Sequence, residues 1–296
     1  MALHLKNGEK LGRGIQRIAK KEIEAVIDHL AQRRLEDEGR SLHEARKNLK
    51  KVRATLRLVR DQLGEQIYQR ENQNFREAAR ALSPRRDAEV LVKTLNKLRR
   101  RRKKTSDLAG IDKLDRVLLG RHQEAFSTED QKDEIEVALR AARHRAKNWP
   151  LKNLDWADLL EGLEGSYRKA RNALRVADET HVDEELHEWR KRVKDLWYQL
   201  RLIEPACSEA VRDLAREMKR LSEYLGDDHD LMMLLDAVHC AGLSANEVDF
   251  ISDWIQGRRC KLQANAAELG GKLFAEKPAR FIRRIESCHN PVACLA

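Results

Sequence analysis

The sequence predicts an all-α protein made of two similar helical bundles, and three observations lead there. Apolar residues recur at helical spacing nearly throughout, and no segment alternates in the manner of a strand. Only 5 prolines and 14 glycines interrupt 296 residues, so long helices meet few breakers. Finally, LHEARKNLKKVRATLRLVR at 42–60 returns as LHEWRKRVKDLWYQLRLIE at 186–204, with nine of nineteen positions identical at an offset of 144. That offset is too long for a solenoid unit and suits the duplication of a whole bundle. A weaker echo agrees: ALSPRRDAEVLV (81–92) and YLGDDHDLMMLL (224–235) place Asp87 and Asp230 at an offset of 143. The expected halves are 1–150 and 151–296, with the proline of KNWPLKN (147–153) marking the junction and pseudo-twofold symmetry relating them.

Each element follows in order. An amphipathic helix is expected over 11–35, broken by EDEGRS. Ser41 is placed as an N-cap for the first copy of the repeat, which should run to about residue 63, where Gly64 ends it. Helices are expected near 66–82, 85–104, 108–125 and 129–147, and in the second half near 155–178, 183–204, 206–225, 228–241, 245–268 and 278–288. Gly226 and Asp227 read as the break between the ninth and tenth of these, and the acidic run Asp227, Asp228, Asp230 as dipole complementation at a helix start. That run, with His229, is the one place resembling a metal-dependent phosphohydrolase site, and capping explains it better; no metal and no cofactor are expected. The five cysteines (Cys207, Cys240, Cys260, Cys288, Cys294) form no CxxC and no disulfide framework. No GxxxxGK[ST], GxSxG or HExxH is present, so no catalytic residues are assigned.

Charge points to the function class. The net charge is +10, and it divides unevenly: 37 Lys+Arg stand against 23 Asp+Glu in 1–150, and 22 against 26 in 151–296. A basic surface draws polyanions. Aromatic residues make up only 5%, which disfavours a reader of single strands, since that task uses stacking platforms for bases. No run approaches a membrane span and the first residues lack a secretory leader, so the expectation is a cytoplasmic protein without a membrane partner.

The repeated segment shows how the charge is used. At about 100° per residue, Leu42, Ala45, Leu49, Val52, Leu56 and Val59 fall on one core stripe. Arg46, Lys50, Arg53 and Arg57 fall on a second stripe roughly 120° away, with His43 at its margin. The second copy repeats this with Leu186, Trp189, Val193, Leu196, Leu200 and Ile203 as core. His187, Arg190, Lys194 and Arg201 form its basic row, and Trp197 stands where the first copy has Arg53. Like charges at i,i+3 and i,i+4 repel, so a row beside the core serves a bound anion better than it serves the fold. The competing expectation is that carboxylates of EELHE or EIEAVID neutralise the row. Further ladders are Arg13, Arg17 and Lys20 on the first helix, and Arg168, Arg171 and Arg175 in YRKARNALR. His43 and His187 are expected to gain affinity for an anion when protonated below neutral pH. RRRRKK (99–104) is a further basic run that supports the alternative of a nucleic-acid-binding helical protein centred on 85–104.

The paired H-x-x-R-K-x-x-K motifs, YRKAR before the second copy and ARFIRRI near the end resemble the CHAD family of histidine-containing helical domains. The resemblance spans nearly the whole chain. It implies two four-helix bundles around a central basic groove or channel that binds inorganic polyphosphate, and an association with polyphosphate granules. Onto this sequence the motif carries His43, Arg46, Lys47, Lys50, Arg53 and Arg57, then His187, Arg190, Lys191, Lys194 and Arg201, with Arg168 and Arg171 from the preceding helix. Trp197 departs from the pattern. Some members carry a triphosphatase tunnel domain ahead of the helices; no strand pattern for one is present, so binding without catalysis is expected.

Overall fold

Apolar stripes from both halves of the chain meet in one core. The structure, a computed structural model, describes residues 3–6, 8–31, 38–100, 108–125, 132–207 and 209–288. Its helices are α1 (Leu11–Ala31), α2 (Glu38–Leu58), α3 (Arg60–Leu63), α4 (Glu65–Ala81), α5 (Ser83–Arg100), α6 (Leu108–Ala125) and α7 (Lys132–Ala146) in the first half. The second half holds α8 (Trp156–Thr180), α9 (Asp183–Ile203), α10 (Glu209–His239), α11 (Ala245–Leu273) and α12 (Pro278–Ser287). Among the described residues the regular structure is helical, as the period of the apolar residues requires.

In the first half α1 packs on α2 and α7, and α4 closes against α2 and α7. In the second, α8 packs on α9, α9 on α10 and α10 on α11, with α12 seated on α8. The stripe of α2 is buried from Leu42 through Val59, and in α9 Trp189, Val193, Leu196, Leu200 and Ile203 are buried while Leu186 stays half-exposed at the edge. These two helices also meet each other, where Gln199 donates its side-chain N–H to the Ala54 carbonyl at 3.1 Å. Helix α8 crosses the end of α2 so closely that a Cβ on Gly162 would lie 1.9 Å from the Leu58 carbonyl oxygen, and only glycine fits. A second core lies to one side, where Leu95, Leu98, Ile111, Leu114 and Leu118 of α5 and α6 pack on Leu231, Leu234, Ile251 and Ile255 of α10 and α11.

Three expectations change. The predicted break at Gly226 is absent, and α10 runs through it as one helix of 31 residues. An interior glycine costs about 1 kcal/mol relative to alanine, and burial of Leu221, Leu225, Leu231 and Leu234 offsets it. Asp228 is therefore not a helix start. It is buried in the middle of α10, accepting from Arg259 Nε at 3.0 Å and Gln263 Nε2 at 3.0 Å, while Arg259 also pairs with Asp183 at the start of α9. Ser41 is not an N-cap either: α2 begins at Glu38 and Ser41 is buried inside it. Finally, the helix expected to reach residue 63 turns at Val59 into the short α3, which Gly64 does end, at φ 76°. Residues 32–35, 101–104 and Cys294 lie outside the described residues. The described cysteines are free, and no cluster of potential metal ligands forms among the described residues.

Candidate functional site

The basic face of α2 and that of α9 open into the same groove. At helical spacing His43, Arg46, Lys47, Lys50, Arg53 and Arg57 share one side of α2, and His187, Arg190, Lys191 and Lys194 share one side of α9. Helix α10 supplies the third wall with Lys219, Ser222, Glu223, Gly226, Asp227, His229, Asp230 and Met233, and Arg76 of α4 with Asp87 and Val90 of α5 complete the rim. The cavity measures about 760 Å³. Eleven lysines and arginines line it against six carboxylates, so the groove carries an excess of positive charge even with every histidine neutral.

The neutralisation that would make the row purely structural is partial. Glu188 of EELHE pairs with Lys191 and Arg192, but Glu22 of EIEAVID pairs with Lys51, off the row. Arg46 has Asp87 at 3.9 Å, and Lys219 has Glu223 at 3.2 Å. At the inner end, Asp195 accepts from Arg57 Nη1 at 3.1 Å. Burial pushes the Asp195 carboxyl up, against the pull of Arg57, Arg192 and Arg53 around it. Arg53 donates to Asn72 Oδ1 at 3.1 Å, and its own pKa falls to about 10 through burial and the adjacent Arg57. The guanidinium stays charged at neutral pH, and its field is what an incoming anion would relieve.

His187 does not stand alone. His229 of α10 lies against it with ring centroids 4.4 Å apart. Nδ1 of His187 is buried and makes no hydrogen bond within the described residues. Burial, then Lys191 and Arg190, holds the His187 pKa down to about 4; burial, then Arg190 and His187, holds that of His229 down to about 3. The expectation that His187 charges just below neutral pH is thus corrected: burial and the neighbouring Lys191 and Arg190 keep it neutral. Because both folded values lie below the ordinary 6.5, the unfolded chain takes up protons first as pH falls. Stability from this pair is therefore present above about pH 6.5 and lost as pH falls towards about 4. We expect thermal unfolding between about pH 7 and about pH 4.5 to show a falling Tm, and His187→Gln with His229→Gln to flatten the fall. An unchanged slope would assign the acid sensitivity to carboxylates instead.

The remaining residues singled out by spacing do not line this groove. Arg13 is exposed on α1, and Arg17 is tied to Glu9 and to the His4 carbonyl at 3.1 Å. Arg168, Arg171 and Arg175 border a separate cavity of about 440 Å³ beside α11 and Pro278. There Arg168 pairs with Glu164 at 3.0 Å, Arg175 with Glu179 at 2.7 Å, and Arg171 Nε donates to the Phe274 carbonyl at 3.0 Å. Arg201 occupies the register of Arg57 but pairs with Glu204 at 3.0 Å outside the groove. Conversely, Arg76, Arg192, Lys219 and His229 belong to the lining, although spacing assigned none of them to a basic row and His229 stood out only within the acidic run. Only for His229 was a signal available: its echo segment carries the same offset as the first repeat, within one residue.

An all-helical protein with one electropositive groove between its repeated helices is the class that fold and site define. The chain belongs to the CHAD family: the CHAD domain matches residues 17–239, most of the sequence, and that family is associated with polyphosphate. Among solved structures, the chain is similar to the crystal structure of the CHAD domain from the plant Ricinus communis, with 18% identity, a TM-score of 0.60 and 93% of each chain covered. No curated protein matches the sequence.

Proposed function

We propose that this protein binds inorganic polyphosphate without chemical change, in the groove between α2, α9 and α10. One observation carries the reading: basic rows from both copies of the repeat, 144 residues apart, line a single cavity in which cations outnumber carboxylates. A linear polyphosphate repeats its charge at regular intervals and offers no bases. The groove matches that description, with many arginine forks and ammonium groups and, among the described lining residues, Trp197 and Tyr198 as aromatic faces beside the histidines. The two histidines facing each other supply polar edges that stay uncharged at neutral pH until an anion arrives.

The region 85–104 fits nucleic acid less well. Among its described residues, Lys93 pairs with Glu89, Lys97 with Asp227 at 2.6 Å and Arg99 with Asp112 at 3.2 Å, so much of its charge is answered locally. Among the described residues no helix is long and apolar enough to cross a membrane. The deciding experiment is a titration of the protein with long-chain polyphosphate and with mixed-sequence DNA and RNA at one fixed salt concentration. We expect polyphosphate to bind at least about tenfold more tightly per phosphate. Nucleic acid binding equally well or better would defeat the reading. Both should weaken steeply with salt through counterion release, so the comparison at matched salt is the informative one.

A further inference from the structure

Asp195, Arg57 and Arg192 border two cavities, the basic groove and a smaller one of about 110 Å³ formed with α3 and α8. The smaller cavity adds Arg60, Ser166 and Lys169. Lys169 has no carboxylate within ion-pair distance among the described residues, and three guanidiniums (Arg192, Arg60, Arg57) surround it. Desolvation first, and then those three charges, pull its pKa down. Two of the guanidiniums face carboxylates outside this cavity: Arg60 holds Glu65 at 2.8 Å and Arg192 holds Glu188. Asp61, Glu161 and Asp195 supply the acidic side of the lining. Gly165 leaves the wall open, since a Cβ there would meet nothing within 4 Å.

We infer that this cavity is a separate site for a small phosphate-type oxyanion, held by Lys169, Arg60 and Arg192 with the Ser166 hydroxyl, and that it takes the terminal phosphate of a chain. Its volume of about 110 Å³, set against about 760 Å³ for the groove, suits one end group better than a length of chain. Asp195 stands between the two cavities, so a chain in the groove meets a carboxylate before it meets Lys169. An end group differs from an internal phosphate by its extra charge and its third terminal oxygen. The three cations that line the cavity, one ammonium and two guanidiniums, discriminate on those properties. The extension to chain ends rests on the polyphosphate reading above; the oxyanion site itself does not.

The test separates the two. In a protein whose groove is disabled by Arg46→Ala, Lys50→Ala, Arg190→Ala and Lys194→Ala, pyrophosphate titrated calorimetrically should still bind, and adding Lys169→Ala should weaken it by about tenfold or more. Lys169 is exposed on α8, so its truncation leaves the core intact, which circular dichroism verifies. In the unmodified protein, linear triphosphate should bind more tightly than cyclic trimetaphosphate, which has no ends, and Lys169→Ala should erase that difference. Pyrophosphate failing to bind the groove-disabled protein, or binding that ignores Lys169→Ala, overturns the site. Equal binding of the linear and cyclic compounds overturns its role at chain ends. Failure of the groove reading would show elsewhere, as long-chain polyphosphate binding that survives the fourfold substitution.

Discussion

Replacing Arg46, Lys50, Arg190 and Lys194 together by alanine should remove tight polyphosphate binding while leaving the helices in place. These four positions supply two cations from each copy of the repeat to one groove. A charge-assisted contact partly screened by solvent is worth about 1 kcal/mol, so four of them amount to about 4 kcal/mol, or roughly a thousandfold in Kd. The core stripes that hold α2 and α9, Leu49, Val52, Val193 and Leu196 among them, lie on a different side of each helix and are fully buried. Truncating the basic row therefore leaves the packing intact. It also removes repulsion between like charges at i,i+4, so the Tm should be unchanged or higher. Lost binding with an undiminished Tm is the combination expected of residues kept for a ligand at some cost to stability. Calorimetric titration beside a thermal melt gives both quantities, and affinity that survives the substitutions would place the binding surface elsewhere. Pairwise versions sharpen the result. Because Trp197 stands where the first copy has Arg53, the second wall has fewer cations to spare. Arg190→Ala with Lys194→Ala should then cost at least as much as Arg46→Ala with Lys50→Ala.

How much of this could be read from the chain depends on what periodicity encodes. Spacing fixes which residues share a helix face, so the buried stripe of α2 and the basic stripe beside it were both legible, as was the helical class. Spacing does not fix where a face turns once helices pack. Arg168, Arg171 and Arg175 do share a face of α8, but that face looks towards α11 and Pro278 instead of the groove. Arg201 has the register of Arg57, yet a single local residue, Glu204, captures it. The end of α9 thus departs from the symmetry at a position where the repeat itself is identical. The continuity of α10 was hidden for a different reason. Gly226-Asp227-Asp228 carries every local mark of a helix boundary, and what overrides it is Arg259, 31 residues further along the chain, receiving Asp228 in the interior. Once α10 is continuous, His229 is carried into the groove beside His187. The offset of its echo segment marked His229 as part of the duplication, but the contact with His187 is made only by tertiary packing.

Asp195→Asn should act in the opposite sense on stability and on binding, and this separates the groove's internal counter-ion from the cations proposed to hold a ligand. Asp195 is largely buried, 3.1 Å from Arg57, with Arg192 and Arg53 close enough to pull its pKa down against burial. Removing one partner of a buried pair leaves uncompensated charge behind, at a typical cost of about 3 kcal/mol. For a chain of this size that corresponds to a drop of roughly 5 °C in Tm. The amide preserves the shape and can still accept a hydrogen bond from Arg57, so the loss reflects charge more than packing. The same guanidiniums, no longer answered from within, would then have to be answered from outside. Polyphosphate should bind Asp195→Asn about tenfold more tightly than the parent protein, and saturating ligand should restore most of the lost Tm, since a ligand that binds only the folded state stabilises it by mass action. Weaker binding would show that Asp195 orients the arginines instead of competing with the anion for them. An unchanged Tm would show that the carboxyl is already protonated in the folded protein, the state towards which burial drives it. The arginines alone would then hold the groove open for an anion.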